Sequence, residues 1–381
     1  MKVVLVHDYI KEFGGAERVL KVLTEMYPEA PIYTAFRVNG STADKEFEGK
    51  VIYESFLAPL LKICKLYSPL RFLTPLIWGS MDLSKYDLVI TSSSWYITRG
   101  FRVGPLTKVI CYCHTPPRWL YGYETSVGFT KYWPVKVYAA IVGYFMRIYD
   151  FKVAQKINYW IANSKNVANR IKKFYKKDST VIYPPVEVKK IIEETHNPQL
   201  TTHNNKQYFL FVSRLVGAKG LEEVVSAFGE LPYKLKVVGE AAGYSDVEKR
   251  IMKKDLRRKN NTNIEFLGRV SDEELYKLYA GAKAFICLAK DEDFGMTPVE
   301  AMAAGTPVIA FNGGGYRESI IDGVTGVLIN STDKKSIQSV IKKYVDSNQR
   351  TRMSKNCIEQ ARKFSKERFV GEIKKYVENR L

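Results

Sequence analysis

Ala284-Phe285-Ile286-Cys287-Leu288 is followed, after Ala289-Lys290, by Asp291-Glu292-Asp293-Phe294-Gly295-Met296-Thr297-Pro298-Val299-Glu300. An unbroken apolar run of this length reads as a parallel strand buried on both faces. Pro298 suits the first turn of a helix, where its missing N–H removes no intrahelical bond. The stretch therefore predicts strand, short acidic loop, then helix from about Pro298. Glu292 falls at the strand exit and Glu300 in the first helical turn, where carboxylates can accept hydrogen bonds from sugar or ribose hydroxyls. The N–H groups of Gly295 to Thr297 have no intrahelical acceptor and are available to a ligand. Acids that merely complement the helix dipole give the same pattern. Asp291-x-Asp293 has the form of a metal-binding pair, but nearby cations can neutralise an anionic ligand in a metal's place, so no metal is assigned.

The same strand-then-helix grammar extends outward. Further strands are expected at Tyr208–Val212, Leu235–Val238, Ile264–Leu267 and Pro307–Phe311, and in the first half at Val3–Val6, Leu88–Ile90, Val109–Tyr112 and Tyr159–Ala162. Helical stretches alternate with them, which predicts doubly wound parallel sheets. Between the halves, residues 187–206 are polar and hold His196-Asn197-Pro198, a composition that reads as a linker. The expected organisation is a Rossmann-like domain over 1–186, a linker over 187–206 and a second Rossmann-like domain over 207–365. A helix over about 366–381 would pack back on the first domain. Ligands of open α/β sheets bind at the carboxyl ends of the strands, so two such halves would face a central cleft.

Composition narrows the class. The 381 residues are 46% hydrophobic with a net charge of +19, a globular profile with a strong basic excess. That excess is concentrated in residues 51–185 and admits nucleic acid, an anionic membrane or a phosphorylated substrate as partner. Cys64, Cys111, Cys113, Cys287 and Cys357 form no Cys-x-x-Cys pair and no disulfide framework, so a reducing, cytoplasmic setting is expected. The apolar run at Val3–Val6 ends at His7-Asp8, too short for a signal peptide, and no uninterrupted run of membrane-spanning length occurs.

Three more loops stand at predicted strand exits. Gly14-Gly15-Ala16-Glu17 precedes a helix, where Gly15 lets backbone and helix N-terminus approach an anion; it is not a dinucleotide fingerprint. Arg214 and Lys219, in Ser213-Arg214-Leu215-Val216-Gly217-Ala218-Lys219-Gly220, offer a planar fork and a point charge suited to a diphosphate. His114, in Cys113-His114-Thr115-Pro116-Pro117-Arg118, sits on a loop stiffened by prolines; only His7 shares such a position.

Taken in order, these motifs resemble the retaining, nucleotide-sugar-dependent glycosyltransferases of family four, which have the two-domain GT-B fold. Glu292-x7-Glu300 with Phe294-Gly295 and Pro298 is similar to the family's hallmark. Arg214 with Lys219 and the Gly15 loop match two more of its motifs, and Ala303 to Ala310, Gly313-Gly314-Gly315-Tyr316-Arg317-Glu318 and Gly323-Val324-Thr325-Gly326 resemble its closing segments. Ser213 and Asp293 stand where glycine is commoner. The run His114-Thr115-Pro116-Pro117-Arg118-Trp119-Leu120 is similar to mannosyltransferases of polysaccharide and O-antigen assembly, which implies GDP-mannose as donor; UDP- or ADP-sugars are alternatives.

The resemblance implies roles residue by residue. Arg214 and Lys219 would hold the donor diphosphate, Glu300 the ribose, and Glu292 the sugar hydroxyls. Backbone at Phe294, Gly295, Met296 and Thr297 would fix the sugar, and Val270 would meet the base. Gly15 would touch the phosphates and His114 the sugar. The catalytic set implied is Glu292, Lys219, Arg214 and His114, with retention of configuration and neither metal nor cofactor beyond the nucleotide-sugar substrate.

The acceptor is read from two segments that mix aromatic and basic residues without an acid, Phe56 to Trp78 and Lys131 to Arg147. Both suit an anionic lipid surface, and both also suit ordinary helices with snorkelling lysines. A lipid-linked or membrane-proximal glycan is the acceptor expected. A basic nucleic-acid-binding protein and a non-catalytic nucleotide-sugar binder are the readings from other classes; no nucleic-acid motif supports the former.

Overall fold

The computed structural model describes residues 1–63, 67, 69–123, 133–195, 208–215, 217–240, 263–346 and 349–380. They form two compact α/β units. The first holds Met1–Tyr123, the residues from 133 to Pro185 and those from Glu367 onward; the second holds Val186–Lys366.

The first unit is a seven-stranded parallel sheet of β1 (Val3–His7), β2 (Ile32–Thr34), β3 (Ile52–Glu54), β4 (Leu88–Ser93), β5 (Lys108–Cys113), β6 (Tyr159–Ala162) and β7 (Thr180–Val181). Their order is β3-β2-β1-β4-β5-β6-β7. Side chains of a strand alternate between faces, and here both faces are covered. Val4, Val6, Val89, Val109 and Cys111 join one core cluster, while Leu5, Leu88, Ile90, Ile110 and Tyr112 join the other. That double burial is why the strands read as unbroken apolar runs. The helix Lys366–Glu378 packs on this unit through Phe369, Ile373 and Val377, with Phe369 edge-on to Tyr112.

The second unit is a six-stranded parallel sheet of β8 (Tyr208–Val212), β9 (Lys234–Val238), β10 (Ile264–Gly268), β11 (Ala282–Cys287), β12 (Val308–Phe311) and β13 (Gly326–Ile329). Its order is β10-β9-β8-β11-β12-β13. In both sheets the chain runs outward from one side of the first strand and then returns to its other side. The switch points lie between β1 and β4 and between β8 and β11, and the loops beyond their carboxyl ends are the expected ligand positions.

One expectation is corrected. Residues 187–206 do not form a simple linker, because Val188–Thr195 is a helix that buries Val188 and Ile191 in the second unit. Two apolar residues three apart place one face inward while Lys189, Lys190 and the glutamates stay outside. Residues 196–206 lie outside the described residues, as do Cys64 and Val216. The basic tail is three helices, Lys334–Asp346, Gln349–Arg362 and Lys366–Glu378.

Candidate active site

At the second unit's switch point, the loop after β8 meets the loop after β11. Lys219 ends a single 3-10 turn, Gly217–Lys219, and its Nζ donates to Glu292 Oε2 at 2.6 Å. The loop reaches β11 closely because Gly220 has φ +79 and its place for a Cβ is 2.8 Å from Leu288 Cβ. On the other side, Gly313, Gly314 and Gly315 press backbone against backbone on residues 290–294. Gly315 N–H donates to Glu292 O at 2.8 Å. A Cβ on Gly314, where φ is +52, would lie 2.8 Å from Glu292 N and closer still to its carbonyl oxygen. Tyr316, which follows, donates its hydroxyl to Glu292 Oε2 at 3.3 Å. Glu292 is thus gripped at its main chain by glycines and at its carboxylate by Lys219 and Tyr316. Arg214 is exposed beside this pair in sequence and makes no ion pair with a described residue.

The helix Met296–Ala303 starts from Gly295, whose φ of +85 and whose missing Cβ let the chain turn against the Tyr316 ring. Met296 and Thr297, half-buried, occupy its first turn. Glu300 is buried at 6% exposure and accepts the Tyr279 hydroxyl on Oε2 at 2.9 Å. Tyr279 was not foreseen from sequence. Its signal was a tyrosine near the end of the helix Asp272–Gly281, whose first turn carries Asp272, Glu273 and Glu274. The Phe294 side chain is buried against Phe364, 5.4 Å between ring centroids, so only its backbone is left for a ligand. Val270 lies in the turn between β10 and Ser271, the N-cap of Asp272–Gly281. Arg214, Lys219, Glu292, Gly295 to Thr297 and Val270 are therefore all placed on loops or a helix start beyond the carboxyl ends of β8, β10 and β11. Among the described residues, no three His, Cys, Asp or Glu side chains are grouped as a metal site would require.

The first unit carries Gly15 and His114 at its own strand exits. Gly15 opens the helix Gly15–Met26, and Glu17 reaches back to accept the Gly14 N–H at 2.9 Å. With no side chain on Gly14, only this carboxylate half of a capping box is made. His114 follows β5. Burial pushes its imidazole down to about 4, with His7 adding to the effect, so the ring is neutral near pH 7. Its Nε2 lies 2.8 Å from Ser92 Oγ, which lies 3.0 Å from His7 Nδ1; His7 Nε2 is 3.4 Å from Glu17 Oε1.

Asp8 is a second feature that sequence reasoning passed over. Buried at 2% exposure, its Oδ2 accepts from Ser94 Oγ at 2.7 Å and from the N–H groups of Ser94, Trp95 and Tyr96; Thr98 donates to Oδ1. One carboxylate thus binds the loop after β4 to the end of β1 across the switch point. The only sequence signal was an acid directly after a buried strand.

Two family models match the chain. "Glycosyltransferase Family 4" covers residues 13–190, and "Glycosyl transferases group 1" covers residues 192–364. An uncharacterized glycosyltransferase of Methanocaldococcus jannaschii is 28% identical over 57% of this chain and 58% of its own length. The alpha-1,3/1,6-mannosyltransferase ALG2 of Mus musculus is 25% identical over 77% of this chain and 73% of its own. The first archaeal relatives are matched over less than two thirds of their length. The crystal structure of Anabaena HepE in complex with UDP and glucose superposes with a TM-score of 0.72 at 19% identity, covering 99% of each chain. That likeness shows a shared fold, the GT-B arrangement of two parallel-sheet α/β domains. With one glycosyltransferase model on each unit and the same fold throughout, the chain belongs to the group 1 glycosyltransferases of the GT-B type.

Proposed function

We propose that the protein is a retaining glycosyltransferase that moves a sugar from a nucleotide-sugar to a lipid-linked or membrane-proximal glycan, with mannose from GDP-mannose as the preferred donor and no metal required. The observation that carries the reading is the Lys219–Glu292 pair at the β8/β11 switch point, with Arg214 exposed on the same loop as Lys219 and Glu300 in the second turn of the helix Met296–Ala303.

Lys219 and Glu292 neutralise each other. A donor diphosphate would draw Lys219 and Arg214 onto its oxygens, and Glu292 would turn to the sugar hydroxyls. The N–H groups from Phe294 to Thr297 would fix the sugar, Val270 backbone the base, and Glu300 the ribose. His114 and Gly15 on the first unit would serve the sugar and the phosphates. As the sugar C1–O bond to phosphate breaks, charge grows on the leaving diphosphate, where two preplaced cations stabilise it most. The acceptor hydroxyl oxygen bonds to C1 from the same face and its proton passes to the departing phosphate oxygen. No enzymic nucleophile is used.

The mannose preference rests on the similarity to ALG2 and on the His114 to Leu120 run. A UDP-sugar is the second reading, favoured by the fold's likeness to HepE, solved with UDP and glucose. For the acceptor, the helix Trp133–Ala154 exposes Trp133, Ile141, Tyr144, Phe145 and Ile148, with Lys136 and Arg147 on the same element. Such a face suits the boundary of an anionic, cytoplasmic membrane leaflet. No helix among the described residues is long and apolar enough to cross a membrane.

The test is transfer from GDP-mannose and UDP-glucose to membrane lipid extract, with and without a chelator, and assignment of the product anomer. Chelator-insensitive transfer with retention, abolished by Lys219→Ala, is expected. Inversion, metal dependence or an active Lys219→Ala protein overturns the corresponding part.

A further inference from the structure

A line of hydrogen bonds crosses three neighbouring strands of the first unit. Glu17 Oε1, His7 Nε2, His7 Nδ1, Ser92 Oγ and His114 Nε2 follow one another at 3.4, 3.0 and 2.8 Å between residues. Sheet register sets it up: His7 is paired with Ser92 between β1 and β4, and Ser92 with Tyr112 between β4 and β5, two residues before His114. Glu17 joins from the first turn of the helix after β1, held there by Gly14 N–H on its other oxygen. All four residues are buried.

Such a line has a direction. An ionised carboxylate only accepts, so the His7 nitrogen facing Glu17 carries the proton. With that one proton on its ring, His7 offers a lone pair at Nδ1, which takes the Ser92 O–H. Ser92 has one hydrogen, so its oxygen is left to accept from His114, and His114 Nε2 must carry a proton. His114 Nδ1 is the atom left over, with a lone pair. We infer that Glu17, His7 and Ser92 are positioning residues that hold His114 in the Nε2-protonated tautomer, so that Nδ1 presents a hydrogen-bond acceptor to a ligand hydroxyl. The ligand part rests on the glycosyltransferase reading, in which that hydroxyl belongs to the donor sugar. The tautomer part does not.

Glu17→Gln separates this from a merely structural role. The amide can keep the Gly14 cap through its oxygen while its NH2 donates to His7 Nε2. That reverses every later bond: His7 Nδ1–H to Ser92, Ser92 O–H to His114 Nε2, and a proton on His114 Nδ1. Shape is retained and polarity inverted. Ser92→Ala breaks the line instead.

The experiment is 15N NMR of histidine-labelled full-length protein, with His114 assigned by His114→Gln. Four histidines make the spectrum tractable. The expected result is a pyridine-type Nδ1 and pyrrole-type Nε2 for His114 in the wild type, exchanged in Glu17→Gln and averaged in Ser92→Ala. A pyrrole-type Nδ1 in the wild type, or the same pattern in Glu17→Gln as in the wild type, overturns the inference. In turnover, Glu17→Gln is expected to lower kcat/KM for the donor about ten- to hundredfold with its melting temperature kept. Unchanged turnover with an exchanged tautomer would overturn the acceptor role of Nδ1. Absence of any sugar transfer in the wild type would strike the functional reading, and the tautomer would still be decided by the spectrum.

Discussion

Gly314→Ala probes the arch that holds Glu292. At φ +52 an alanine carries the left-handed penalty of a Cβ, about 1–2 kcal/mol. The added methyl would also meet the Glu292 main chain, with its nitrogen at 2.8 Å, and backbone cannot rotate away as a side-chain tip can. Overpacking of this kind costs about 1–3 kcal/mol, so the sum is about 2–5 kcal/mol. For a unit the size of Val186–Lys366, about 2–4 °C of melting temperature goes with each kcal/mol, which gives a loss of about 4–20 °C. Gly323→Ala is the control. Its φ is +73 but nothing lies within 4 Å of its Cβ position, so only the backbone penalty applies and a loss of about 2–8 °C is expected. The assay is thermal unfolding of both variants, paired with turnover. Gly314→Ala should melt lower than Gly323→Ala and lose donor turnover, because Glu292 must shift away from Lys219. Equal melting temperatures with full turnover in Gly314→Ala would refute the idea that the glycine arch sets the Glu292 position.

Other expectations follow from the first unit. Asp150→Ala leaves the fully buried Arg99 without its carboxylate partner, with Tyr121 and Tyr175 also losing their acceptor; chemical denaturation should show a loss of about 3–5 kcal/mol. His114 is held neutral by burial, its pKa pushed from 6.5 to about 4. The unfolded chain therefore binds the extra proton first, stability falls as pH drops from about 6.5 to about 4, and the full effect is about 3 kcal/mol. Unfolding of wild type and His114→Gln across this range checks it, since the variant should lack that component. Sedimentation with anionic vesicles at moderate salt should capture the wild type, and Phe145→Glu with Tyr144→Glu should stay in the supernatant.

Much of the architecture was legible because buried parallel strands advertise themselves. β8 matches its expected bounds, and β5, β9, β10, β11 and β12 fall within two residues of theirs. The strands missed, β2, β3, β7 and β13, are two to four residues long and lie at or next to the sheet margins, where too few residues exist to show a period. The helix Val188–Thr195 was hidden because a single turn and a half of apolar spacing sits inside a lysine- and glutamate-rich stretch. In the site, Lys219 and Glu292 were anticipated as parts of one site, and their contact spans 73 positions of sequence. Asp8 and the Ser92 bridge were not anticipated. The Asp8 partners lie 86 or more residues away and Ser92 lies 85 from His7 and 22 from His114; the register of β1 against β4, and of β4 against β5, brings them together. Such register is a property of the folded sheet, which local spacing does not encode. Phe294 turns its side chain to the core, against Phe364, and leaves to a ligand only the backbone that the motif reading named.

The most direct measurement is a calorimetric titration of GDP, UDP and ADP into the wild type, Lys219→Ala and Glu300→Gln. One nucleoside diphosphate should bind the wild type, and each variant should bind it about tenfold or more weakly, as loss of a charge-assisted hydrogen bond requires. Failure of all three nucleotides to bind, or undiminished affinity in both variants, would contradict a nucleotide-sugar site at the β8/β11 switch point.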